Sequence, residues 1–142
     1  VCIETNTPIT ELQRKQPPPY TIRQIGLQMD RDRLYDRADR RVNAMLATGL
    51  LDEVRGLLDV GYHAKLPAMS GIGYRQLAAH LNGETPLEQA VEDTKNLTHD
   101  FIRRQETWFR GHDNGILWHN SLGLDVAAII EQTHDWINKA DL

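Results

Sequence analysis

At 142 residues, with 40% apolar and 25% charged side chains, the chain is long and apolar enough to bury one ordinary core and lacks the composition of a disordered segment. Its 16 Lys and Arg are outnumbered by 20 Asp and Glu, for a net charge of −4, which excludes a whole-molecule attraction for polyanions and confines any nucleic-acid binding to a local face. The lone cysteine, Cys2, excludes an internal disulfide, no apolar run reaches bilayer-crossing length and no secretory signal pattern is present, so a reduced, soluble, cytoplasmic setting is expected.

The chain opens on Val1 rather than methionine, which predicts a fragment whose upstream half lies elsewhere. Residues 1–19 end in Pro17-Pro18-Pro19, which cannot continue a helix, and read as a connector. From Tyr20 to Met29, the residues Ile22, Ile25 and Leu27 predict a short strand, and Asp30 a helix N-cap. The next helix, Arg31 to about Thr48, carries Leu34, Ala38, Val42 and Met45 on its core face and stops at Gly49. Asp32, Asp36 and Asp39 oppose Arg33, Arg37 and Arg40 as expected surface pairs. Arg41 is placed on the apolar stripe, where arginine needs an anion or an intramolecular carboxylate.

A second helix is predicted over Leu51 to Val60, with Leu51, Val54, Leu57 and Leu58 inward and Gly61 closing it. After Pro67, the run Ser70-Gly71-Ile72-Gly73-Tyr74-Arg75 leads into a helix carrying Leu77, Ala78 and Leu81 and ended by Gly83. Two glycines there permit either close approach to a phosphate at exposed amides, with Arg75 as a forked donor, or a tight packing corner. Thr85-Pro86-Leu87-Glu88 has the form of a capping box. It predicts a long helix to about Arg110, burying Leu87, Val91, Thr94, Leu97, Phe101 and Trp108 and broken by Gly111. Ile116 to His119 reads as a strand, and Asp125 caps a final helix with Val126, Ile129, Ile130, Thr133 and Ile137 on one side. Five helices and two short strands in this order fit the trailing part of an α/β domain.

Chemistry concentrates on the long helix. Lys95, His99, Arg103, Glu106 and Arg110 share one face at spacings of three and four, either an ordinary solvated face or a basic stripe for RNA. The stretch Arg103-Arg104-Gln105-Glu106-Thr107-Trp108-Phe109-Arg110 adds two aromatic rings, which serve either base stacking or the core. No Ser-His-Asp order, metal-ligand spacing or Gly-x-x-x-x-Gly-Lys-Ser/Thr loop occurs, and His63, His80, His112, His119 and His134 read as structural or solvated.

Four landmarks stand in order along the chain: Thr7-Pro8-Ile9-Thr10-Glu11-Leu12-Gln13; Arg41-Val42-Asn43-Ala44-Met45-Leu46 with Gly49-Leu50 and Asp52-Glu53-Val54; Gly73-Tyr74-Arg75-Gln76; and Arg104-Gln105 with Thr107-Trp108. Together they resemble the C-terminal part of the tRNA dimethylallyltransferase, or tRNA isopentenyltransferase, family. Two positions depart from the pattern. Asn6 stands where the family often has glycine, and Glu106 places an acidic side chain within the RNA-contact motif. The resemblance implies that residues 1–142 are a helix-rich portion of a P-loop NTPase-like α/β domain, with 1–19 as connector and 20–142 as core. It implies a monomeric enzyme that moves a dimethylallyl group from dimethylallyl diphosphate to N6 of the adenosine 3′ of the tRNA anticodon. It also implies Mg2+, held mainly by a missing N-terminal half with the ATP-type nucleotide-binding P-loop and the catalytic aspartate, so that this chain alone is inactive. By motif, Ser70, Gly71, Ile72, Gly73, Tyr74 and Arg75, and the run Arg103 to Arg110, would contact the anticodon stem-loop, and Arg41 the diphosphate or transfer centre. From another class, a stand-alone helical RNA-binding or protein-interaction module stays open.

Overall fold

A computed structural model describes residues 11, 19–63, 66–112 and 115–140. The remaining residues, with the connector before Pro19, most of the Thr7 to Gln13 landmark, Asn6 and Cys2, lie outside the described set. The elements run β1 (Gln24–Gln28), α1 (Arg31–Ala47), α2 (Leu50–Asp59), a 3-10 turn (Pro67–Ser70), α3 (Tyr74–Leu81), α4 (Leu87–His112), β2 (Ile116–Asn120) and α5 (Val126–Ala140). The two strands pair in parallel, Gln24 with Ile116 through Gln28 with Asn120, so the four helices between them form one long crossover. The expected α/β class, with five helices and two strands among the described residues, is what forms.

Local signals account for most boundaries. The Asp30 carboxylate accepts from the Asp32 and Arg33 amides at 3.1 and 3.3 Å, starting α1. Gly49, at φ +107°, ends α1 and also begins α2, its carbonyl accepting from the Glu53 amide at 3.0 Å. Helix α2 closes in a Schellman motif: Gly61 N–H donates to Leu58 and Tyr62 N–H to Leu57, both at 3.0 Å. Helix α3 closes the same way, Gly83 donating to His80 and Glu84 to Ala79 at 2.9 Å.

The core lies where α2, α3 and α4 meet. Val54, Leu77, Ala78, Ala90 and Met69 are buried there, flanked by Leu46, Leu50, Leu57 and Leu81. Val42 is the buried residue of α1, between half-buried Leu34, Ala38 and Met45, as its spacing predicts. Fully burying a side chain such as Leu77 or Val54 contributes about 1.5–3 kcal/mol.

Several expectations are corrected. The Pro86 carbonyl accepts the first α4 bond, from Ala90 N–H at 3.1 Å, so the helix starts one residue later than the Thr85 capping box implied. Gly111 does not break α4, which continues to His112; a glycine in helical conformation costs about 1 kcal/mol relative to alanine, which a final turn tolerates. Leu87, Phe101 and Trp108 are exposed rather than buried, while Ala90 and Thr94 carry the core contact. The reason is length. The 26 residues of α4 span ~39 Å, whereas the 8 residues of α3 span ~12 Å and cannot cover both ends. On α5 the inward residues are Ile129, Thr133 and Trp136, with Val126, Ile130 and Ile137 exposed. That rotation follows Trp136, whose ring lies 5.9 Å from the Arg23 guanidinium, while Arg23 Nη1 donates to the Gln132 carbonyl at 2.7 Å.

Candidate nucleic-acid interface

The C-terminal half of α4 projects beyond the core, and α1 runs beside it. Residues Arg31, Tyr35 and Asp39, four apart on α1, meet Glu106, Arg103 and His99 on α4. Arg31 Nη2 donates to Glu106 Oε2 at 2.8 Å, Arg103 Nη1 to the Tyr35 hydroxyl at 3.1 Å, and His99 Nε2 lies 2.8 Å from Asp39 Oδ1. The His99 ring also stacks on Tyr35, centroids 4.1 Å apart. Both members of the interlock therefore derive from sequence stripes at helical spacing, on antiparallel helices.

This pairing changes the reading of α1. The expected surface pairs between Asp32, Asp36, Asp39 and Arg33, Arg37, Arg40 do not form; Asp39 reaches across to His99, and Arg40 Nε donates to the Asp36 backbone carbonyl at 3.2 Å. Arg41 is also corrected in position. It is exposed beside buried Val42 rather than on the apolar stripe, and among the described residues it has no ion-pair partner, so of the two alternatives for its counter-charge the intramolecular carboxylate is not supplied.

Within the Arg103 to Arg110 run, helix geometry sorts the side chains. Arg103 binds the Asp100 carboxylate as well as Tyr35. Arg104 is exposed, with a 3.4 Å contact from Nε to the Asp100 carbonyl, and Gln105 is exposed. The Thr107 hydroxyl donates back to the Arg103 carbonyl at 2.9 Å. Trp108 is 55% exposed, while Phe109 is half-buried between the edges of Trp108 and Trp118, at 4.9 and 6.3 Å. The two aromatics thus divide: Phe109 packs against the β2 tryptophan and Trp108 offers its surface. Arg103, Arg104, Thr107 and Trp108 line a shallow open notch. Two guanidinium groups beside an exposed indole can bind phosphate and stack a base.

On the other side of the same helix, a groove of about 840 Å³ separates α4 from β1. Its apolar wall includes Leu27, Leu34, Ile102, Phe109 and Trp118, and its polar rim Arg31, Glu106 and Arg110. Glu106 faces Arg110 as well as Arg31, with Oε1 2.6 Å from Arg110 Nη2. The hydrogen bond from Arg31 is the main influence holding the Glu106 carboxyl below the usual carboxylate range, against partial burial, and it raises Arg31 in turn.

The Ser70 to Arg75 turn lies elsewhere. Gly73, at φ +95°, is buried against Thr94 and Leu50, where a Cβ would meet Thr94 Cγ2 at 3.7 Å. Thr94 precedes Arg103 by nine residues, ~14 Å along the helix. Two of the turn's amides are used within the fold: Gly73 N–H donates to Gln76 Oε1 at 2.9 Å and Arg75 N–H to the Gly71 carbonyl at 3.2 Å. The Ser70 hydroxyl donates to the Pro67 carbonyl at 2.6 Å. Tyr74 hydrogen-bonds Glu53, which pushes the phenol up, with burial adding to the effect. Of the sequence alternatives the packing corner accounts for Gly73, and Ile72 and Arg75 are side chains the turn exposes.

The carboxylates of this face do not suit a divalent metal. Asp39, Asp100 and Glu106 are each engaged by a basic side chain, and among the described residues no three His, Cys, Asp or Glu gather around one point. No described helix is long and apolar enough to cross a membrane.

A family model described as IPP transferase matches residues 1–112. The tRNA dimethylallyltransferase of Roseiflexus castenholzii is 54% identical over 106 residues, which are 75% of this chain and 35% of that protein. That of Dehalococcoides mccartyi is 48% identical over 115 residues, 81% of this chain and 35% of its own length. The crystal structure of the tRNA isopentenylpyrophosphate transferase of Bacillus halodurans superposes with a TM-score of 0.74 at 34% identity, covering 93% of this chain and 42% of that one. The Staphylococcus epidermidis tRNA delta(2)-isopentenylpyrophosphate transferase gives 0.72 at 34% identity, over 82% and 38%. The chain spans between about a third and two-fifths of the relatives it matches.

Proposed function

The chain belongs to the IPP transferase family, and from that premise we propose that it supplies the tRNA-gripping part of a tRNA dimethylallyltransferase. The reaction would join the adenosine N6 to the allylic carbon of dimethylallyl diphosphate as the carbon–oxygen bond breaks, the amine losing a proton and diphosphate leaving. The observation that carries this reading is the α1–α4 face, where Arg103 and Arg104 flank a Trp108 that is 55% exposed.

Reaching N6 of an adenosine beside the anticodon requires drawing the base out of its stack, at a cost of a few kcal/mol that backbone contacts and a stacking surface offset. Arg103, Arg104 and Trp108 have the chemistry for that work. Gln105 adds an exposed amide, Thr107 and Phe109 support the helix and the indole, and Glu106 and Arg110 extend the face toward the groove. In the Ser70 to Arg75 turn, Ile72 and Arg75 are the side chains offered to RNA, with Ser70, Gly71, Gly73 and Tyr74 shaping the corner. Arg41, exposed and without an internal counter-charge among the described residues, suits the leaving diphosphate. Magnesium would accompany that diphosphate, held by residues other than the ion-paired carboxylates of this face. The general base and phosphate-cradling loop belong to the family's upstream region, and the enzyme would act as a cytoplasmic monomer.

The test is to incubate the natural full-length protein with dimethylallyl diphosphate, magnesium and unmodified tRNA, then digest the tRNA and weigh its nucleosides. Prenylated adenosine is expected, together with a raised KM for tRNA in the Arg103→Ala/Arg104→Ala variant. No product, or a double variant with unaltered KM and kcat, would refute the reading. Residues 1–142 alone are expected to give no turnover.

A further inference from the structure

Within a face proposed to hold RNA phosphates, Glu106 is out of place by charge alone. Its geometry gives it a task. One carboxylate oxygen accepts from Arg31 Nη2 at 2.8 Å and the other faces Arg110 Nη2 at 2.6 Å, so a single anion holds one cation from the start of α1 and one from the end of α4. Each contact is to one guanidinium nitrogen, whereas arginine carries five N–H donors, so most donors of both groups stay available to another acceptor. The Arg31 and Arg110 side chains are 53% and 69% exposed, and the Glu106 side chain beneath them 32%. Two cations on one carboxylate leave a net positive charge on the groove rim. The pairing also keeps two long, like-charged side chains from splaying apart.

We infer that Glu106 is a positioning residue, which aims the Arg31 and Arg110 guanidinium groups at phosphodiesters of bound RNA. The inference rests on the RNA-binding reading above. Two roles for the carboxylate predict effects of opposite sign. Removing it from a phosphate-binding face should tighten binding if it only repels RNA. If it arranges two donors in advance, removal should weaken binding, because their ordering cost then falls on the complex.

The experiment measures binding of a fluorescein-labelled anticodon stem-loop RNA to the natural full-length protein across a range of salt, for the wild type, Glu106→Gln and Arg103→Ala/Arg104→Ala. Glu106→Gln is expected to bind about three- to tenfold more weakly at low salt. Its log–log salt slope should be shallower by up to about 1.4, at roughly 0.7 for each single-strand phosphate that is no longer neutralised. Tighter binding with a steeper slope would make Glu106 a repulsive screen and overturn the inference, as would unchanged affinity and slope. A purely structural staple would lower the unfolding midpoint and leave the affinity of the folded protein unmoved, which also overturns it. If Glu106→Gln does not fold, Arg110→Gln serves in its place: it should weaken binding and flatten the slope, and no change in either would overturn the inference. The arginine double variant separates the two claims. If it binds RNA as wild type does, the RNA reading itself fails; if it loses affinity while Glu106→Gln does not, only the role of Glu106 fails.

Discussion

Replacing Gly26 with alanine tests how β1, β2 and α4 are held together. The parallel register sets Gly26 opposite Trp118. An added Cβ would lie 2.6 Å from Trp118 Cε3 and 2.7 Å from Ile116 Cγ2, inside the 3.4–4 Å of ordinary contact. The indole must move by about 1 Å or more, and Trp118 edges Phe109 of α4, so the strain passes from the sheet into the helix that carries the candidate interface. Overpacking of this kind costs about 1–3 kcal/mol. The assay is urea unfolding of Gly26→Ala followed by near-UV circular dichroism, which reports tryptophan environment and stability together. Gly49→Ala is the control, because an added Cβ there meets nothing within 4 Å and only the φ of +107° is strained. It should cost about 1 kcal/mol with the near-UV spectrum preserved. An unchanged midpoint and spectrum in Gly26→Ala would show that Trp118 is not wedged over that glycine.

Leu77→Ala, at the centre of the core where Leu77 is 1% exposed, should destabilise by about 2–5 kcal/mol in the same unfolding assay. Trp108→Ala should leave the unfolding midpoint nearly unchanged and weaken stem-loop RNA binding by about 1–3 kcal/mol in a titration, the value of one stacked base. The Glu106 carboxyl is held low in the folded state, chiefly by the hydrogen bond from Arg31. Its stabilising contribution is therefore fully present above the unfolded carboxylate value of about 4.3 and lost as pH falls through the lower folded value. The gap in urea midpoint between wild type and Glu106→Gln should accordingly persist from neutral pH down to that range and close below it.

The elements were legible in the sequence because their signals are local. Asp30 caps α1, Gly61 and Gly83 close their helices through backbone bonds, and Val54 and Leu77 follow helical periodicity into the core. Burial on α4 was less legible. Phe101 and Trp108 continue the apolar spacing of Thr94 and Leu97, but α3 is too short to reach them and α1, which runs beside that half of α4, meets the face of His99, Arg103 and Glu106 instead. The interface showed half of itself in advance. The arginines and Trp108 stood out as a motif, but Arg31, Tyr35 and Asp39, which pair with Glu106, Arg103 and His99 of the same helix, lie some sixty to seventy-five residues away, and spacing alone does not reveal which stripe faces which. A second stripe at helical spacing, with charges complementary to the first, was the available clue. For Arg41 the periodicity misled, because a neighbour of a buried residue on a helix turns away by about 100° and can reach solvent.

The most direct test of the α1–α4 face as a tRNA grip is the salt dependence of anticodon stem-loop binding by Arg103→Ala/Arg104→Ala, with folding checked by circular dichroism. Weaker binding is expected, with a log–log slope shallower by about 1.4, because two phosphates are then left without their arginines, at roughly 0.7 each. A folded double variant with the wild-type affinity and slope would contradict the tRNA grip.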